Sequence, residues 1–256
     1  MTEAEDYQNR IGEVSYTKHG TKATIVEYQN CKKVLVEFDD KYKYRYYTSY
    51  VNFKNGQLTN PYESRGKRHS GFVGVGKYNS KEHKVAYQKW VAIINRCKLV
   101  DYSNNKDLAI NSYKDCSVCD DWLNFQNFAQ WYYDNQYECS EELCIDKDIL
   151  VHNNKLYSPN TCLLVPERIN LLFVKEKGRR GTYPIGAIKH KNHFTSLISK
   201  EGKARYIGCY DTPLEAHLAY KSEKEKYIKK IADEYKDIIP KRVYEAMCNY
   251  KIEITD

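Results

Sequence analysis

The side chains with most chemical reach in this 256-residue chain are unevenly spread. Residues 116–173 carry nine acidic and three basic residues, a net charge of −6, and Asp146-Lys147-Asp148 lies within that block. Concentrated carboxylates suit a divalent cation, and equally a solvated acidic surface. Cys116-Ser117-Val118-Cys119 has the spacing of paired metal thiolates, and Cys139, Cys144 or Cys162 could complete a tetrahedral zinc site. A lone pair of this kind has no matching second pair, so buried thiols are the better reading. Residues 174–256 are net +6 and bring Arg179, Arg180, Lys189, His190, Lys191, His193, Lys203 and Arg205 close together, a density that fits phosphate contacts with some reading of base edges. Nearer the start, Tyr42, Tyr44, Tyr46 and Tyr47 alternate with Lys41, Lys43 and Arg45. Such an arrangement suits nucleic acid on one face, and an ordinary half-buried strand explains it as well.

Composition bounds what these groups can belong to. With 41% hydrophobic and 29% charged residues the chain is an ordinary globular protein, and wholesale disorder is excluded. No apolar run approaches the ~18 residues of a membrane span, and the opening MTEAEDYQNR lacks a signal peptide's basic start and apolar core. The expected setting is therefore cytoplasmic, with no membrane partner. Nine cysteines, an odd number without dense spacing, fit free or buried thiols rather than a disulfide scaffold. The net charge of +7 sits in residues 61–115 and 174–256, each +6, around the acidic block.

The elements that must position these residues follow from periodicity. Residues 1–62 read as a small β-barrel: the stretches Gly12–Tyr16, Thr21–Tyr28, Lys33–Phe38 and Tyr42–Tyr47 alternate apolar and polar residues between turns. Residues 63–83 are a basic, glycine-rich linker that could follow a phosphate backbone or simply stay solvated. Helical spacing predicts helices over Ser80–Lys98, Asp120–Trp131 and about Pro166–Phe173, with a short strand at Cys144–Val151. Three strands, Ile185–His190, His193–Ser199 and Ala204–Tyr210, precede a helix starting at Thr212-Pro213-Leu214-Glu215, a capping box with proline at the first helical position. The fold class is α+β.

The run Ile145-Asp146-Lys147-Asp148, Asn153-Asn154-Lys155, Tyr157-Ser158-Pro159-Asn160-Thr161-Cys162-Leu163-Leu164-Val165-Pro166 and Ile169-Asn170 resembles the ββα metal finger of phage-encoded HNH homing-type endonucleases. The resemblance covers residues 84–174 as a segment. It implies phosphodiester cleavage with one Mg²⁺ or Mn²⁺ ion, Asp146 and Asn170 as metal ligands, and Asn153, Asn154 or Asn160 as the residue that orients the base. The general-base histidine of that family is replaced by Lys147. His152 in the following turn, Lys147 itself and Asp148 are the candidates for the role.

Residues 175–256 resemble the Apetala-type DNA-binding domain of ethylene-response factors and phage homing endonucleases, through Pro184-Ile185-Gly186-Ala187, Tyr206-Ile207-Gly208-Cys209-Tyr210, Asp211–Ala216 and Ala219-Tyr220. That resemblance implies a three-stranded sheet in the major groove with the basic residues named above in contact with DNA. The second strand departs from it, because His193-Phe194-Thr195-Ser196 lacks the family's Trp and Arg base readers. Together the two resemblances predict a DNA endonuclease in a bacterial host's cytoplasm, acting on double-stranded DNA. The alternative is a non-catalytic DNA-binding regulator or anti-defence protein built on a degenerate finger, and Lys147 is the residue that favours it.

Overall fold

A computed structural model of the chain describes residues 10–64, 71–97, 115–174 and 182–256. The elements of the first part are β1 (Val14–Tyr16), β2 (Lys22–Asn30), β3 (Lys33–Phe38), β4 (Arg45–Thr48), α1 (Tyr50–Lys54) and α2 (Lys84–Arg96). Then come β5 (Ser117–Val118), α3 (Asp120–Leu123), α4 (Phe125–Asn135), β6 (Leu143–Asp146), β7 (Leu156–Tyr157), β8 (Leu163–Pro166) and α5 (Glu167–Leu172). The last part holds β9 (Ile188–His190), β10 (His193–Lys200), β11 (Lys203–Tyr210), α6 (Pro213–Glu234) and α7 (Lys241–Asn249). The fold is mixed α and β, in two compact units: residues 1–103 with 118–130, and 104–117 with 131–256.

In the first unit β1 to β4 form an antiparallel sheet in sequence order. The expected small barrel is corrected: the sheet is open, and β1 and β4 are its two edges. After β4 the chain turns into α1, capped by Ser49, and Ser15 Oγ of β1 donates to the Phe53 carbonyl at 2.6 Å, so the helix rather than β4 meets the first strand. Phe53 is buried with Ala23, Ile25, Val34, Val36 and Phe38. The tyrosines of β4 divide by strand alternation: the ring of Tyr46 stacks on Phe38 at 5.9 Å, whereas Tyr47 is exposed. Lys43 pairs with Asp39 and Arg45 with Glu37, each at 2.5 Å, so these two basic side chains have acidic partners, while the Lys41 ammonium lies 5.7 Å from the Tyr42 ring. The single helix expected over Asp120–Trp131 is two, because Asn124 takes an extended conformation and both its neighbours bond to Phe72 of a distant segment.

In the second unit, β6 and β8 pair antiparallel and lead directly into α5, a ββα motif; β9, β10 and β11 form a three-stranded antiparallel sheet in the order β11-β10-β9, with α6 packed behind it. One core joins them: Leu163, Val165 and Ile169 of the ββα motif share it with Ile198 of the sheet, Ile228 and Ile231 of α6, and Val243 and Met247 of α7. Pro213 opens α6, Thr212 accepts from the Glu215 N–H at 3.2 Å and the Glu215 carboxylate accepts from the Thr212 N–H at 3.1 Å, completing the capping box. Gly186, at φ +84°, lets the chain pass over α6, since a Cβ there would sit 2.2 Å from the Tyr220 ring carbon Cγ. Thr212→Ala removes the cap acceptor of the helix that backs the sheet; a loss of about 1 kcal/mol in urea unfolding is expected.

Candidate nucleic-acid interface and the loop of the ββα motif

The loop between β6 and β8 is built by polar side chains bonding back to its own backbone. Asp146 ends β6 opposite Leu163 and turns its Oδ1 to accept the N–H groups of Asp148 at 2.8 Å and Ile149 at 2.7 Å. Only 7% of it is exposed, and burial pushes its carboxyl up to about 6, with the two N–H bonds opposing and the Asp148 charge adding to the shift. Asn154 closes the loop: its Nδ2 donates to the carbonyls of Lys147 at 3.0 Å and Leu156 at 2.6 Å, and its Oδ1 accepts the Leu156 N–H at 3.0 Å. Of the three asparagines put forward for the orienting role, Asn154 has this bridging position. Asn153 beside it adopts a left-handed φ of +54°, a conformation asparagine tolerates better than most residues, and the Asn160 carbonyl accepts from an Arg242 guanidinium nitrogen at 3.1 Å.

Lys147 sits at the centre of this loop. It is 9% exposed, and its Nζ donates to Asp148 Oδ1 at 2.9 Å, Asp148 Oδ2 at 2.8 Å and the Asn154 carbonyl at 2.8 Å. An ammonium has three donors and no acceptor, and here three acceptors face it. All three contacts are ones an ammonium donates, whereas a general base needs a lone pair aimed at water.

The structure thus brings together Asp146, Lys147, Asp148 and Asn154. His152 has a partner of its own: its Nε2 lies 2.5 Å from Asp256 Oδ1, and the ring packs 5.5 Å from Tyr250. The carboxylate of Asp256 is fully buried, and no sequence signal links two residues 104 positions apart. Asn170 is half-buried on α5, and among the described residues no hydrogen bond ties it to Asp146. One oxygen of Asp146 is held by two backbone N–H groups, both oxygens of Asp148 are held by Lys147, and among the described residues no three His, Cys, Asp or Glu side chains converge. The thiols of Cys116, Cys119 and Cys162 are each pushed up by burial, Cys162 to about 12.

In the three-stranded sheet the basic residues occupy borders. Arg205 pairs with Ile198 and Lys203 with Lys200, so both lie on the α6 side and reach solvent from the edge strand β11. Lys189 is on the other edge strand with its ammonium 6.0 Å from the Tyr183 ring, and Lys191 forms the β9–β10 turn at φ +52°. His190 and His193 face one another across that turn with stacked rings 5.3 Å apart. Arg179 and Arg180 lie outside the described residues. No family model, no curated protein and no solved structure matches the chain.

Proposed function

We propose that this chain is a double-stranded-DNA-binding protein whose ββα motif is a scaffold rather than a nuclease centre. The observation that carries this reading is Lys147, spent on Asp148 and Asn154 at the position where HNH enzymes hold their base. The resemblance of the β9–α6 region to Apetala-type domains and the exposed Lys189, Lys191, Lys203 and Arg205 around the sheet supply the DNA partner. A role as a regulator follows more naturally than one as a cutter.

The test measures duplex binding and plasmid nicking on the same preparation. Affinity should fall steeply with salt, with log K changing by about −0.9 per phosphate contact against log salt. Nicking with Mg²⁺ or Mn²⁺ should be no greater for the wild type than for Asp146→Ala. Metal-dependent nicking that Asp146→Ala abolishes would overturn the proposal.

One observation favours a second reading, a DNA endonuclease directed by the same sheet. His152, oriented by the buried Asp256 carboxylate, lines a cleft of about 430 Å³ together with Arg242, Asn249 and Lys251, and with the carboxylates of Glu245 and Glu253. An imidazole fixed by a carboxylate beside cationic side chains is the arrangement of a general base near a phosphate. On this reading His152→Ala, rather than Lys147→Ala, removes nicking.

A further inference from the structure

Strand register sets two histidines against each other at the mouth of the β9–β10 hairpin. His190 closes β9 and His193 opens β10, directly opposite across the two-residue turn Lys191-Asn192. Both lie on the face turned away from α6, since Ser196 and Ile198, the buried residues of β10, point to the other side. Their rings are stacked 5.3 Å apart at an interplanar angle of 16°. His190 is exposed and His193 half-buried, and among the described residues no hydrogen bond ties either ring. Other histidines are taken up by the fold. His152 meets Asp256, His217 Nδ1 meets the Ile185 carbonyl at 2.9 Å, and His83 Nδ1 accepts the Asn79 N–H at 3.2 Å.

A neutral imidazole binds a metal through a ring nitrogen, and zinc, nickel and copper favour such donors where magnesium takes oxygens. One zinc ion with Zn–N distances of about 2.0–2.1 Å and a tetrahedral angle needs two nitrogens roughly 3.3 Å apart. Rings stacked at 5.3 Å reach that separation by tilting toward one another about their side-chain torsions, with no movement of the strands. The hairpin preorganises the pair: the register fixes both backbones, so an ion held by one ring meets the second at high effective concentration. Lys191 in the turn is a cation that opposes the ion, and Asp211, which follows Tyr210 at the same end of the sheet, offsets it. Among the described residues no third His, Cys, Asp or Glu converges with the pair, so the remaining coordination positions fall to water or an incoming ligand. We propose that His190 and His193 form a two-imidazole chelate for a divalent ion of the zinc class, open on its solvent side. The site is separate from the loop around Asp146 and independent of the DNA-binding reading.

The experiment titrates Zn²⁺ alone into the full chain by calorimetry, beside His190→Asn, His193→Asn and Cys209→Ser. Each histidine variant should weaken one binding event at least about tenfold, since losing even a group that only supports a metal ligand costs about 10–100-fold. Zn²⁺ taken up by thiols elsewhere is common to every chain compared and drops out of the difference. Cys209 is the control, because its exposed thiol lies in the next row, opposite Thr195; Cys209→Ser should leave the event unchanged. His190→Asn, at an exposed position, carries the test where His193→Asn fails to fold. Mg²⁺ at the same concentration should not displace the Zn²⁺. Zn²⁺ binding that either histidine variant retains at wild-type affinity, or that Cys209→Ser abolishes, overturns the proposal, as does displacement by Mg²⁺ or the absence of any histidine-dependent event.

Discussion

Lys147→Met is expected to lower stability by about 3 kcal/mol, read as a reduced urea midpoint with unchanged slope. The magnitude comes from what is left behind. Removing one partner of a buried ion pair costs about 3–5 kcal/mol, and an orphaned carbonyl about 1–3 kcal/mol. The Asp148 side chain keeps 28% of its surface exposed, so water takes up part of its charge and the sum is discounted toward the lower figure. The double variant Lys147→Met, Asp148→Asn should recover at least half the loss, because the uncompensated charge is gone, and what stays lost is the ammonium's contact with the Tyr157 ring at 5.9 Å and its bond to the Asn154 carbonyl. Were Asp146–Asp148 a solvated surface cluster, both variants would lie within about 0.5 kcal/mol of wild type. The same single substitution bears on function: a scaffold lysine lost should weaken DNA binding only as far as the fold is weakened.

What could be read from the residues was mostly what is local. The α6 start was legible because Thr212, Pro213 and Glu215 satisfy the helix end within four residues of one another, and the structure places the capping box there. Around Asp146 the residues predict one strand over Cys144–Val151 and a helix over about Pro166–Phe173; the strand ends already at Asp146, the helix spans Glu167–Leu172, and the partner strand Leu163–Pro166 is implied only by the finger resemblance. Tertiary bonds were not legible. Asn124 interrupts the helix expected over Asp120–Trp131 because Phe72, far away in sequence, bonds to Leu123 and Phe125. His152 stands in sequence as a candidate base in the turn after the acidic ligand, yet its Nε2 meets Asp256, 104 positions away. In the sheet, composition exposed the density of cations but not their side. A bulge between Ser196 and Leu197 sets the register that carries Arg205 to the α6 face and leaves Tyr206 outward, and nothing in the spacing of basic residues encodes that shift. The open sheet has a similar cause, since Ser15 of β1 bonds to Phe53 of α1, 38 residues away, rather than to β4.

Asp146→Asn provides the sharper discrimination between scaffold and metal site. In the unfolded chain this carboxyl titrates at 3.8, and burial in the folded loop raises it to about 6. Between those values the folded state binds more protons than the unfolded one, so stability is greatest below about pH 4 and is lost as pH rises through about 6. A shift of about two units corresponds to about 3 kcal/mol between acid and neutral solution. Asparagine keeps an oxygen that can accept the Asp148 and Ile149 N–H groups and carries no charge to desolvate. At neutral pH the variant should therefore be more stable than wild type by up to about 3 kcal/mol, and the acid-to-neutral decline should flatten in its pH–stability profile. Loss of the attraction from Lys147, a small opposing contribution to the shift, offsets part of that gain. An ion-binding aspartate behaves in the opposite way: Mg²⁺ or Mn²⁺ would raise the wild-type melting temperature through binding to the native state alone, and the asparagine variant would lose that rise. A variant less stable than wild type at neutral pH, together with a metal-dependent melting temperature in the wild type alone, would show Asp146 to be a ligand and Lys147 its neighbour rather than its substitute.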